Sequence, residues 1–151
     1  MILLALVFSA GVPCWSQSAI PASQKAYERT LQAQAFANER LWVWQRRLNL
    51  QDWDISVLVA RASELKPKTL GNVHWDLAKK VAVIRVLDPV DYKLAPNEIL
   101  PDIELTVVHE LIHLEMAPTL ADLRRTDANR VQEEKAVNRM AEALVLLGRG
   151  Q

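Results

Sequence analysis

Three residues in the C-terminal half of the chain have types and a spacing that can do chemistry: His109, Glu110 and His113 form the pattern HExxH. In an α-helix each residue turns by ~100°, so residues four apart differ by only ~40° and lie about one turn apart along the axis. Two imidazoles at this spacing can bind the same metal ion. The side chain of Glu110 projects from the edge of that face, where its carboxylate can take a proton from a metal-bound water. The pattern therefore predicts a hydrolytic metal site.

The residues around the motif favour this interpretation over coincidence. HExxH also arises by chance in helical proteins, where the histidines are ordinary core or surface residues. Here two of the three histidines of the chain lie in the motif. Burying two histidines and a glutamate in an apolar helix is costly unless they have partners or a metal. The uncharged neighbours that must pack are Val107, Leu111, Ile112 and Leu114.

A zinc site needs a third protein ligand, with the fourth position left open for water. Because Cys14 is the only cysteine, a cysteine-rich site is excluded and a carboxylate or His74 must supply this ligand. Glu133 and Glu134 follow His113 by 20 and 21 residues, after a segment long enough to turn the chain back. Either glutamate could be the ligand, and either could instead be a solvated acid on a helix surface.

The motif and the segment after it resemble the gluzincin clan of zinc peptidases, especially its minimal single-domain members. Those proteins carry HExxH on one helix and a glutamate ligand on the next, in an Exx(A/S)(D/N) pattern about twenty residues further on. Residues 134–138 fit this pattern best, which implies Glu134 as the zinc ligand and Asn138 as a hydrogen-bond partner of a ligating histidine. Starting the pattern at Glu133 instead leaves Val137 where an Asp or Asn is expected.

The resemblance covers the strands and the two site helices, and departs from the family pattern at Glu115, where an apolar residue is usual. It implies a peptide substrate that binds as an added strand along the sheet edge beside the active helix, here residues 70–75 or 81–86. It also implies a residue that stabilises the oxyanion of the reaction. The candidates for that role are His74 and Tyr92.

Hydrophobic periodicity predicts the elements that must position these residues. We expect an α+β domain in the order helix, small antiparallel sheet, helix, helix, with the last two helices carrying the motif and the third ligand. The first helix is predicted from after Pro21 to about residue 49, followed by strands at 53–59, 70–75 and 81–86, with a hairpin turn at 76–80. A proline-rich loop at 88–101 leads to the HExxH helix, which is predicted to run from Asp102 as N-cap to just before Pro118. A loop to about residue 129 and a last helix at about 130–147 complete the domain.

Composition and charge fit one folded domain. Half of the 151 residues are hydrophobic, and 18 basic residues balance 18 acidic ones. Nucleic acids and anionic membranes attract clustered Lys and Arg, so the balance gives no reason to expect either as a partner.

The first residues differ in kind from the rest. Residues 1–12 form an uncharged apolar run that is too short to span a bilayer but fits the core of a secretory signal. We therefore expect a signal peptide at 1–19, a zincin-like metallopeptidase domain at 20–151, and a protein exported to the periplasm or secreted, without a stable membrane anchor. No Lys or Arg precedes the run, so the alternatives are an apolar segment packed on the domain and a cytoplasmic location.

Together these residues predict a zinc-dependent peptidase that cuts peptides or proteins, most simply as an endopeptidase, with Glu110 as general base and His109, His113 and Glu134 as zinc ligands. One alternative is a catalytically silent zinc-binding scaffold or interaction domain. Another is a helical interaction module without a metal, in which the motif is accidental.

Overall fold

The computed structural model describes residues 21–124 and 126–150 as an α+β domain of three helices and a three-stranded mixed sheet. The predicted α+β class is confirmed, while the predicted signal peptide lies outside the described residues. Within the described part of the chain, no helix is long and apolar enough to cross a membrane. The elements are α1 (Ala22–Arg47), β1 (Asp54–Ala60), β2 (Gly71–Asp76), β3 (Val81–Leu87), α2 (Pro96–Leu120) and α3 (Asp127–Arg149), with a short 3₁₀ turn at Ala62–Glu64 after β1.

The sheet has the order β1-β3-β2, so β3 is the central strand. β2 and β3 form the predicted antiparallel hairpin, with Asp76 opposite Val81. β1 instead runs parallel to β3, with Asp54 opposite Val81. The prediction of an antiparallel sheet is therefore wrong for β1. The segment between β1 and β2 carries the chain past the central position, and a period-two pattern reports which face of a strand is buried but not its partner.

The helix α1 packs on α2 and β1 through a stripe of small and large residues, as its periodicity predicts. Ala33 and Ala37 are fully buried, and Trp44 is 2% exposed. Trp42 is a surface residue on which the Arg46 guanidinium stacks, 5.0 Å from the ring centroid. Trp44 is thus a core residue and Trp42 a surface residue, as the sequence-based interpretation of α1 as a packing helix predicts.

The helix α2 is longer than predicted at both ends. It begins at Pro96, where a proline in the first turn loses no hydrogen bond, and the backbone N–H of Ala95 donates to the Glu98 carboxylate. Asp102, the predicted N-cap, therefore lies inside the helix, and the predicted loop at 88–101 ends before Pro96. Pro118 does not end the helix either, because the chain continues helically to Leu120.

The helix α2 is also the centre of the core. It contacts α1, α3, β2 and β3, and burial of each of its aliphatic side chains contributes about 1.5–3 kcal/mol. Five residues of α2 are fully buried: Ile103, Val107, Val108, Leu111 and Leu114. The HExxH residues are thus set into the most buried element of the fold.

The helix α3 begins at Asp127, before the predicted start near residue 130. The side chain of Thr126 caps it by accepting a hydrogen bond from the backbone N–H of Asn129, 3.2 Å away. Its buried face consists of Val137, Ala141 and Val145. This face packs the helix onto α2 and orients the acidic residues of its first turns.

An ion pair anchors the segment that leads from β1 to β2. The Arg61 guanidinium donates two hydrogen bonds to the Asp91 carboxylate, at 2.7 and 2.8 Å, and the Ala62 N–H donates a third at 2.8 Å. These donors, the Arg61 side chain first, lower the pKa of Asp91 to about 2. In the folded protein the Asp91 carboxylate therefore stays charged at pH values well below the ordinary pKa of an aspartate.

We predict that Asp91→Asn destabilises the fold near neutral pH and that this effect shrinks in acid. The pKa of Asp91 is lower in the folded protein than in the unfolded chain, where it is about 3.9. The ion pair therefore contributes its full stabilisation above about pH 3.9, and this contribution is lost as the pH falls towards about 2. Urea unfolding of both proteins between pH 6 and pH 2.5 should show midpoints that converge. A constant gap would contradict the assignment, and the exposed Asp122→Asn serves as the control.

Candidate functional site

The helix α2 brings the two motif histidines together on one face. Their Nε2 atoms are 3.1 Å apart and their rings meet edge to face, with centroids 4.7 Å apart. The side chain of His109 is 18% exposed and that of His113 is 10% exposed. Burial, and then the neighbouring His113, lower the pKa of His109. The two imidazoles are therefore held close together in a largely dehydrated place.

The helix α3 brings the carboxylate of Glu134 to the same point. Its two oxygens lie 3.4 Å from His109 Nε2 and 3.4 Å from His113 Nε2. One ligand atom from each of the three residues can be chosen so that all lie within 4.8 Å of one another. His109, His113 and Glu134 thus form a group that could hold a metal ion.

Glu133, the neighbour of Glu134, contacts the other side of His113. Its carboxylate oxygen is 3.2 Å from His113 Nδ1, and its side chain is only 11% exposed. Because a carboxylate only accepts, Nδ1 donates in this contact and the neutral imidazole has its lone pair on Nε2. On the other histidine, the side chain of Asn138 hydrogen-bonds to His109. Both imidazoles are therefore oriented by partners from α3.

The electrostatics of this arrangement favour a cation at its centre. Three electron-rich groups converge on one small region: the Nε2 lone pair of His113, the Nε2 atom of His109 and the carboxylate of Glu134. Electron-rich atoms at these separations repel unless a proton or a metal ion lies between them. Two imidazoles and one carboxylate form one of the donor sets found in catalytic zinc sites, which leave a fourth position open.

Glu110 lies beside this group but is not part of it. Glu110 is 7% exposed and lines the same cleft as the two histidines. Burial, followed by the charge of Glu134, raises the pKa of Glu110 to about 8, and the charge of Lys66 opposes that rise. A carboxyl group in such a place can exchange a proton near neutral pH.

The group opens into a cleft of about 520 Å³ between β2, α2 and the start of α3. β2 is an edge of the sheet, and no described strand pairs with its outer side. Of the two edges proposed for a peptide, residues 70–75 border the cleft, whereas residues 81–86 belong to the central strand and that alternative is wrong. The lining residues from the strand side are Leu70, Gly71, Asn72, Val73 and Trp75.

Neither candidate for the oxyanion-stabilising residue lines this cleft. His74 is an exposed residue of β2 that lies outside the group of potential ligands, so it cannot be the third ligand in this arrangement. The hydroxyl of Tyr92 donates to Asp102 Oδ2 at 2.9 Å. Burial and the adjacent Asp102 raise the pKa of Tyr92, and burial raises that of Asp102. The Tyr92 hydroxyl is therefore occupied by Asp102, which lines the cleft, and Tyr92 itself does not line it.

Two features of the site escaped the sequence analysis. Glu133 was weighed as a ligand, but the structure places it against Nδ1 of His113, a role that only the orientation of α3 decides. Asn72 has a buried side-chain oxygen without a hydrogen-bond partner among the described residues, and it lines the cleft. Its only signal in the sequence was a polar amide between Gly71 and Val73 in the predicted strand.

Comparison of the chain with protein-family models, with curated proteins and with solved structures gives no match. The gluzincin resemblance therefore remains a prediction that is based on the motif and its spacing.

Gly71 sets the distance between β2 and α2. A Cβ atom at this position would lie 2.5 Å from Thr106 Cγ2 and 2.7 Å from the carbonyl oxygen of Arg85, closer than side chains approach. It would also lie 3.4 Å from Glu110 Oε1. Glycine is therefore needed here for the close approach of the strand to the helix that carries the motif.

We predict that Gly71→Ala destabilises the protein by about 1–3 kcal/mol, because the strand or the helix must shift to admit the methyl group. The measurement is urea unfolding of the two proteins. Gly150→Ala is the matched control, since the nearest atom to its added Cβ is 3.8 Å away and its stability should not change. A Gly71→Ala protein as stable as the unmodified one would show that β2 does not pack against α2 in this way.

Proposed function

We propose that the protein is a zinc-dependent peptidase, with His109, His113 and Glu134 as metal ligands and Glu110 as general base. The observation that carries the proposal is the convergence of the two Nε2 atoms and the Glu134 carboxylate, within 4.8 Å of one another, in a cleft that Glu110 also lines. Zinc bound there supplies a Lewis acid and lowers the pKa of water to about 7. Glu110 takes the proton of the attacking water and delivers it to the leaving amine.

The positions of the two glutamates support Glu134 as the ligand and Glu133 as a positioning residue. Glu134 reaches the Nε2 atoms of both histidines, whereas Glu133 faces Nδ1 of His113. A carboxylate that accepts from the distal nitrogen of a ligating histidine fixes its tautomer and makes it a better ligand. Asn138 orients His109 from the same helix.

The edge of β2 supports a peptide as the substrate. A peptide that lies along this edge can form backbone hydrogen bonds with the strand while its scissile bond faces Glu110. Asn72 lines the same wall with a buried side-chain oxygen that has no hydrogen-bond partner among the described residues, and the oxygen and nitrogen of such an amide exchange places by a simple rotation. It can therefore donate to, or accept from, the backbone of a bound peptide.

The first experiment measures the zinc that the purified protein retains after dialysis against a weak chelator. We expect about one ion per chain in the unmodified protein and in Glu110→Gln, and none in His113→Ala or Glu134→Gln. Glu110→Gln should keep its zinc and lose about 100–10,000-fold in turnover of a peptide mixture, because only the proton carrier is removed. A folded protein that retains no zinc would contradict the proposal.

A second prediction separates the roles of the adjacent glutamates. Glu133→Gln should weaken zinc binding by about 10–100-fold without abolishing it, because the ion keeps its three ligands. Glu142→Gln, an exposed change on the same helix, is the matched control and should leave the affinity unchanged. Competition with a chromophoric chelator gives these affinities. If Glu133→Gln loses all its zinc and Glu134→Gln retains it, then Glu133 is the ligand and Glu134 the positioning residue.

A second candidate function is a zinc-binding scaffold that does not cut peptides. The observation that favours it is that neither His74 nor Tyr92 lines the cleft, so a dedicated oxyanion donor of those types is missing from its described wall. The scaffold predicts retained zinc, loss of stability in His113→Ala, and no difference in peptide turnover between the unmodified protein and Glu110→Gln.

A further inference from the structure

Three cationic side chains line the cleft beside the candidate metal group. Lys66 and Lys68 belong to the segment between β1 and β2, and Arg130 belongs to the first turn of α3. All three residues are exposed, and no ion pair joins any of them to another described residue. Positive charge therefore enters the cleft from two different elements.

The acidic residues of the cleft do not neutralise these cations. Asp102 accepts a hydrogen bond from Tyr92, and Glu134 faces the two histidines. Glu110 also lines the cleft but forms no ion pair with any of these three cations. Once a divalent ion is bound, the cations of the cleft outnumber its carboxylates. A partly enclosed cleft with low-dielectric walls concentrates such a potential and attracts anions.

The backbone holds the two lysines in this place at some cost. Lys68 has a φ of 65°, in the left-handed region that favours glycine over a residue with a side chain. The turn is closed by Thr69, whose N–H and Oγ1 both donate to the carbonyl oxygen of Lys66, at 3.2 and 2.9 Å. Strain of this kind persists where the surrounding structure fixes it, commonly at binding sites. The turn allows both lysines to line one cleft.

We infer that Lys66, Lys68 and Arg130 make the cleft selective for peptides with acidic side chains close to the bond that is cut. This inference rests on the proposed peptidase function, whose substrate class it narrows. Carboxylates of a bound peptide would replace water around the three cations, while backbone pairing with β2 remains independent of sequence. The carboxylate could also be the C terminus of the peptide, and the experiment must separate these two sources.

The test measures peptide binding to zinc-loaded Glu110→Gln, which should bind without cutting. The probes are a short fluorescein-labelled peptide rich in Glu and the same peptide with Gln at each Glu, both amidated at the C terminus. We expect the acidic peptide to bind about tenfold more tightly or better by fluorescence anisotropy, a difference of about 1.4 kcal/mol. The difference should shrink as salt is raised, because these charges lie near solvent.

The control distinguishes the cleft from net charge. Adding Lys66→Gln, Lys68→Gln and Arg130→Gln should abolish the preference, whereas removing three exposed lysines outside the cleft, Lys25, Lys79 and Lys93, should preserve it. Equal affinity for both peptides, or an equal loss in the two triple variants, would overturn the inference. A third probe is the Gln peptide with a free C terminus. If it binds more tightly than the acidic amide, the cations recognise the terminal carboxylate, which would overturn the inference about acidic side chains.

Zinc is quantified on the same samples, which separates the two proposals. A folded protein without zinc contradicts the peptidase proposal, whatever the peptides do. Bound zinc together with equal affinity for the acidic and the Gln peptide contradicts only the preference for acidic side chains.

Discussion

The arrangement of the three helices depends on one buried carboxylate, that of Glu104 on α2. It accepts hydrogen bonds from the indole N–H of Trp44 on α1, at 3.0 Å, and from Arg149 at the end of α3, at 3.3 Å, while Arg40 lies 3.5 Å away. A buried charge needs such partners, and removal of one leaves it uncompensated. Because α3 runs antiparallel to α2, this junction near its end and the contact of Glu133 with His113 near its start together fix how the two helices align.

That alignment explains why two adjacent glutamates can have different tasks. Successive residues of a helix point about 100° apart, so Glu133 and Glu134 reach opposite sides of the imidazole of His113. A rotation of α3 by about 100° about its axis would exchange their contacts. The buried residues Val137 and Ala141 on the following turns oppose such a rotation, because their small, well-packed contacts with α2 allow little movement.

The sequence predicted what is local and missed what depends on packing. The spacing of His109 and His113 fixes their shared face in any helix, so the structure brings them together as expected. The partners of His113 on α3 depend on how that helix docks, and periodicity alone left Glu133 and Glu134 as equal candidates. The parallel pairing of β1 was missed because alternation does not encode direction, and the start of α2 was misplaced because Pro101 was taken as a boundary although Pro96 begins the helix.

The position of the candidate ligands along the chain has a consequence for folding. Glu134 follows His113 by only 21 residues, and both lie on one antiparallel helical hairpin. An ion held there would act as a cross-link that closes a short loop, and closing a short loop removes less chain entropy from the unfolded state than closing a long one. Its effect would be mostly local: it would hold α3 to α2 and suppress partial opening of that hairpin, while the junction of α1 with the sheet would be unaffected.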